Sequence, residues 1–141
     1  MGLRGPLPGD DPLPEPRTTG QMLENVFTAF GPKRCVGWRA GAHFNDGFEW
    51  WTYTQVLSHA QALRDRLQRL LGGARADACT VGICGANSAE WYVADFACLL
   101  STAGSARARP RLVSVPLHYM LRPGTLLKII ALAQVRCCVC F

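Results

Sequence analysis

The sequence predicts an α/β fold, in which a helix and a β-hairpin precede a partial parallel sheet with covering helices. Three observations predict it. Apolar residues recur at helical spacing from Thr19 onward, a turn signal at Asn45-Asp-Gly47 separates two aromatic-rich extended runs, and short apolar runs alternate with helical patterns beyond Gly72. Strands alternating with helices imply right-handed crossovers and a parallel sheet covered by helices.

Residues 1–18 carry Pro6, Pro8, Pro12, Pro14 and Pro16 among Gly and Asp, which favours extended, solvated chain and predicts a flexible leader. Met22, Leu23, Val26, Phe27 and Phe30 then mark a helix ended by Gly31-Pro32. Cys35–Arg39 reads as a strand, with Phe48–Tyr53 as its returning partner across the Asn45-Asp-Gly47 turn. Thr52-x-x-Gln55 has capping-box spacing. Val56, Ala60, Leu63, Leu67 and Leu70 follow on one helical face, with Gln61, Arg64, Asp65, Gln68 and Arg69 on the other. Gly72-Gly73 offers the positive φ of a helix end.

Cys79–Cys84 is a short apolar strand of the type buried on both faces. Asn87-x-x-Glu90 is a second capping box, opening a mostly apolar helix through Leu100. Leu112–Leu117 reads as a strand. Pro123 suits the first turn of a helix continuing to Ala133, and Val135–Phe141 is a final strand. An apolar strand with no closing helix predicts a fragment of a larger domain.

With 49% hydrophobic and 18% charged residues the chain has a globular composition. The net charge is +5. Arg107, Arg109, Arg111, Arg122, Lys128 and Arg136 lie where no Asp or Glu follows Asp95, a pattern suited to anionic lipid or nucleic acid. Without aromatic residues interleaved, it reads as a solvated loop, and no nucleic-acid partner is expected. The seven cysteines, with no secretory signal before them, read as reduced, buried thiols of an intracellular protein, cytoplasmic or peripheral on an organelle membrane. Alternation places Cys138 and Cys140 on one strand face and Cys137 on the other, and no second ligand cluster follows, so no metal site is expected.

Four segments carry a resemblance: Cys35-Val-Gly-Trp-Arg39, Trp50-Trp-Thr-Tyr-Thr-Gln-Val56, Val81-Gly-Ile-Cys-Gly-Ala-Asn-Ser-Ala-Glu-Trp91 and Val113-Ser-Val-Pro-Leu117. In order and spacing they resemble the N-terminal part of the adenylate-forming (AMP-binding) superfamily, closest to eukaryotic long-chain fatty-acid–CoA ligases. The resemblance runs from about Thr19 to Cys140. It implies a truncated N-terminal AMP-binding-type domain over residues 19–141, and an insertion over 101–111 against the usual αβ loop of about 2–6 residues. It also implies, for a full-length enzyme, fatty acid, ATP, Mg²⁺ and coenzyme A, with an acyl-adenylate formed first and a thioester second. The phosphate loop and catalytic Lys of the family lie further along than Phe141. No catalytic, cofactor-binding or metal residue is therefore carried over, and the chain alone is expected to bind no cofactor and to be inactive. Peripheral membrane contact, a protein partner at the exposed strand edge, and a mispredicted gene product are the other expectations.

Some residues invite chemistry that their pattern does not support. Ser101–Pro110 faintly resembles the family's phosphate loop but lacks its second Gly and its Pro-Lys-Gly ending. Gly82-x-x-Gly85 lacks dinucleotide spacing and reads as close packing of strand and helix. Glu90 and Asp95 fall on different sides of one helix and form no acid–base pair. His59 reads as a structural or surface histidine.

Overall fold

The computed structural model describes residues 15–41, 43, 47–72, 77–103 and 110–141. Most of the expected leader, part of the Asn45-Asp-Gly47 turn, Gly73 and residues 104–109 of the expected insertion lie outside the described residues. The elements follow in the order α1 (Thr19–Ala29), β1 (Arg34–Arg39), β2 (Phe48–Thr52), α2 (Tyr53–Leu71), β3 (Ala78–Cys84), α3 (Ala89–Leu100), β4 (Arg111–Leu117), α4 (Pro123–Leu132) and β5 (Cys137–Cys140). This is the predicted order.

β1 and β2 pair antiparallel, and β4-β3-β5 form a parallel sheet with β3 in the middle. The step from β3 to β4 and the return past β3 to β5 run in opposite directions. Right-handed crossovers therefore put α3 and α4 on opposite faces of the sheet. Register agrees: Val81 pairs with Cys137 and Ile83 with Val139 on one face, Gly82 with Cys138 and Cys84 with Cys140 on the other. The first face packs Cys79, Val81 and Leu112 against Leu67 of α2 and Cys98 of α3. A second core joins Phe27, Val56, Ala60, Val93, Ala97 and Leu100, and the hairpin packs on it through Cys35, Val36 and Trp51. On the other side α4 buries no residue, and Leu127 and Leu132 are exposed.

The Thr52–Gln55 capping box forms as predicted. The second does not. Ser88, not Asn87, is the N-cap, and its Oγ accepts from Trp91 N at 3.2 Å. Glu90 thus falls in the first turn, where its charge opposes the positive helix end. Gly72 is also not left-handed, since it continues right-handed at φ −66°. The left-handed position among the described non-glycine residues is Gln134, φ 50°. There Gln134 N donates to Ala131 O and Val135 N to Ile130 O, the paired bonds of a Schellman motif closing α4. Glycine adopts that conformation without the steric cost, so Gln134→Gly is expected to raise stability by about 0.5–1 kcal/mol, measured by urea denaturation.

Gln68 and Leu70 exchange their predicted places. Gln68 is buried and Leu70 is 70% exposed. The end of α2 passes the start of β4, where Gln68 Nε2 donates to the carbonyl of buried Pro110 at 3.0 Å. A polar side chain is retained there because a carbonyl must be satisfied. Gln68→Met keeps the volume and strands that carbonyl, with an expected loss of about 1–3 kcal/mol in urea midpoints.

The thiols divide by face. Cys79 and Cys98 are buried as expected, but Cys138 and Cys140 are exposed, because they lie on the sheet face away from α2 and α3. Burial, together with the charge of Asp95 and the thiol of Cys137, pushes the Cys98 thiol from 9.0 up to about 12. A folded-state value raised in this way gives stability that is present below pH 9 and lost as pH rises toward 12. Unfolding measured across this range should show stability falling by at most about 1.4 kcal/mol per pH unit from this group, a component absent in Cys98→Ala.

Candidate functional site

Geometry singles out one end of the parallel sheet as the place where a ligand is expected. In open α/β sheets ligands bind beyond the carboxyl ends of the strands, where the strand order reverses. Here the order β4-β3-β5 reverses at β3, and the segments beyond its carboxyl end are 85–88, 118–122 and Phe141. Phe141 N donates to Cys84 O at 3.1 Å, bringing the Phe141 ring against Gly85. A Cβ on Gly85 would lie 3.2 Å from Phe141 Cβ, so the approach favours glycine. Across the sheet, the His118 and Tyr119 rings stack at 5.5 Å, and His118 Nδ1 accepts from Met120 N at 3.3 Å. Tyr119, Met120 and Phe141 are each more than half exposed. This end sets exposed Tyr119, Met120 and Phe141 beside the polar side chains of Asn87, Ser88, His118 and Arg122.

The residues weighed from the sequence take structural places. Of the Ser101–Pro110 stretch, the hydroxyls of Ser101 and Thr102 are engaged in packing, and Ser105 lies outside the described residues. Ser101 Oγ donates to Cys98 O at 2.6 Å and accepts from Leu112 N at 2.8 Å, tying the end of α3 to β4. Thr102 Oγ1 donates to Leu99 O and accepts from Gly20 N at 3.1 Å. Gly82 is a close-packing position, but against neighbouring strands and Val135 rather than a helix: a Cβ would lie 2.7 Å from Leu117 Cδ1 and 2.9 Å from Cys138 Sγ. Glu90 is exposed, Asp95 partly buried, and they form no pair. His59 is exposed with its ring 4.9 Å from that of Trp51. Arg111, Arg122, Lys128 and Arg136 are exposed. Arg107 and Arg109 lie outside the described residues.

Among the described residues no three His, Cys, Asp or Glu side chains are grouped to hold a metal ion. Among the described residues no helix is long and apolar enough to cross a membrane. The sequence missed the tie between α1 and α3 through Thr102, for which one strand of text carries no signal.

A helix and a hairpin thus lead into a parallel sheet. The fold matches the A-PCP didomain of carboxylic acid reductase from Segniliparus rugosus in complex with AMP, with TM-score 0.70 and 18% identity, covering 90% of this chain and 18% of that one. It also matches CmiS6 (TM-score 0.67, 19% identity, 87% and 26% covered). The Klebsiella oxytoca NpsA N-terminal subdomain is a third match (TM-score 0.61, 18% identity, 87% and 27% covered). At these identities the likeness is one of fold, and the chain spans 18% to 27% of the length of these proteins. A search of curated protein sequences finds no significant match. The family model described as AMP-binding enzyme matches residues 30–140, and the chain belongs to that family.

Proposed function

We propose that the chain is the N-terminal part of an ATP-dependent long-chain fatty-acid–CoA ligase, supplying a scaffold and one wall rather than reacting groups. The family match over residues 30–140 carries the reading. The long-chain assignment rests on the segments Cys35–Arg39, Trp50–Val56, Val81–Trp91 and Val113–Leu117, which resemble that branch. Such enzymes need a Lys-bearing phosphate loop, Mg²⁺ and acidic residues to form the acyl-adenylate. On the resemblance none of these maps onto a residue of this chain, so the chain alone is expected not to catalyse adenylation. Insertion of residues 101–111 into the α3–β4 connection belongs to the same reading.

The test is ATP–pyrophosphate exchange with palmitate, run on the purified 141-residue chain and on the native polypeptide captured by an antibody against residues 19–100. Exchange by the captured polypeptide and none by the short chain is the expected result. Exchange by the short chain refutes the scaffold role. Exchange by the captured polypeptide with amino acids or aromatic acids, but not palmitate, refutes the long-chain assignment.

A second reading is a non-catalytic interaction protein. β4 and β5 each pair only with β3 among the described residues, leaving ladder groups that an added strand would satisfy. A captured polypeptide of about 15.4 kDa that co-purifies with a partner distinguishes it from the first.

A further inference from the structure

The hairpin presents a second surface that the ligase reading does not use. Partners in an antiparallel ladder point to the same side. Gly37 pairs with Trp50 and Arg39 with Phe48, so these share a face. Arg34 lies three positions before Gly37 and by simple alternation belongs on the opposite face. The register shift between Arg34 and Val36 turns it over, so that Arg34 pairs with Thr52 and joins Trp50 and Phe48.

The result is a continuous arrangement of rings and guanidinium groups. Arg34 lies over the Trp50 ring at 5.6 Å, Trp50 and Phe48 are 6.0 Å apart, and Arg39 lies over Phe48 at 5.2 Å. Gly37 makes the Trp50 position available, since a Cβ there would lie 2.6 Å from the indole Cε3. Phe48 is 56% exposed and Trp50 41%, although both are large apolar side chains. The neighbouring Lys33 lies over Phe30 at 5.0 Å, and Glu49 alternates to the other face.

Exposed aromatic rings flanked by cations suit the boundary of an anionic bilayer, where rings enter the headgroup layer and cations meet phosphates. Single-stranded nucleic acid fits less well. Base stacking needs open ring faces, whereas guanidinium groups lie over these rings, which are tilted 36° to each other. We infer that the β1–β2 hairpin is a peripheral docking surface for anionic phospholipid, with Trp50 and Phe48 as interfacial anchors and Arg34 and Arg39 as headgroup contacts. The inference stands independently of substrate and of catalysis.

Co-sedimentation of the 141-residue chain with phosphatidylcholine vesicles, with and without phosphatidylserine, tests it. Binding should require phosphatidylserine, weaken with salt, and fall by about thirtyfold in Arg34→Gln/Arg39→Gln. Phe48→Ser/Trp50→Ser should also reduce binding, while Leu127→Ser/Leu132→Ser on α4 should not, with folding of each variant checked by circular dichroism. Because the Arg variants spare the packed core, they decide the matter if the aromatic variants unfold. Absence of binding to any vesicle overturns the inference. So does binding lost only in the α4 variant. Tighter binding to a single-stranded oligonucleotide, reduced by the same Arg substitutions, overturns it in favour of nucleic acid.

Discussion

Gly20→Val is expected to lower stability by about 3 kcal/mol, against what helix propensity alone predicts. On propensity, replacing a helical glycine by Ala gains about 1 kcal/mol. Gly20, however, lies where the start of α1 meets the end of α3. A Cβ there would lie 2.5 Å from Ala103 N and 2.7 Å from Leu99 O, both backbone atoms with no rotamer to yield. The same approach allows Gly20 N to reach Thr102 Oγ1 and Thr18 Oγ1 to donate to Thr102 O at 2.9 Å. Spreading the helices loses these bonds as well as packing. Gly20→Ala should therefore destabilise too, whereas Gly124→Ala in α4, where a Cβ meets nothing within 4 Å, should not. Urea denaturation followed by tryptophan fluorescence separates the two. Equal effects at both glycines would sink the close-approach argument.

Leu100→Ala is the second large effect, with an expected loss of about 2–5 kcal/mol. Leu100 is 1% exposed and ends α3 inside the cluster that contains Phe27 of α1 and Val56 and Ala60 of α2. Truncation removes apolar contacts and leaves a cavity that three helices cannot all close at once. Leu70→Ala is the comparison: Leu70 also lies on a predicted apolar stripe but is 70% exposed, so its change should stay within about 0.5 kcal/mol. Denaturant midpoints of the pair show whether burial rather than periodicity governs the cost.

Gln68 and Leu70 also show where local pattern stops being sufficient. A 3.6-residue period identifies a helix and the centre of its apolar stripe, and for α2 it placed Val56, Ala60 and Leu67 in the core correctly. The edges of the stripe depend on what passes beside the helix, here the Pro110 carbonyl at the start of β4. The second capping box failed for a related reason. Asn87 and Ser88 are both good caps, and the choice depends on where the chain leaving β3 turns. The candidate site was legible only in negative terms. Ser101 and Thr102 lacked the phosphate-loop pattern, and the structure shows their hydroxyls bonded to Cys98, Leu99, Leu112 and Gly20.

By itself the sequence determined the order of helices and strands, the parallel sense of the sheet and the resemblance to adenylate-forming enzymes. All three follow from short-range periodicity, caps and segment order. Only the tertiary structure decided that β3 is central, that Gly20 forbids a side chain, that Cys138 and Cys140 face outward, and that Arg34 turns over to join Trp50. Those depend on which distant segments meet, and in the hairpin on one extra residue that reverses the strand's alternation.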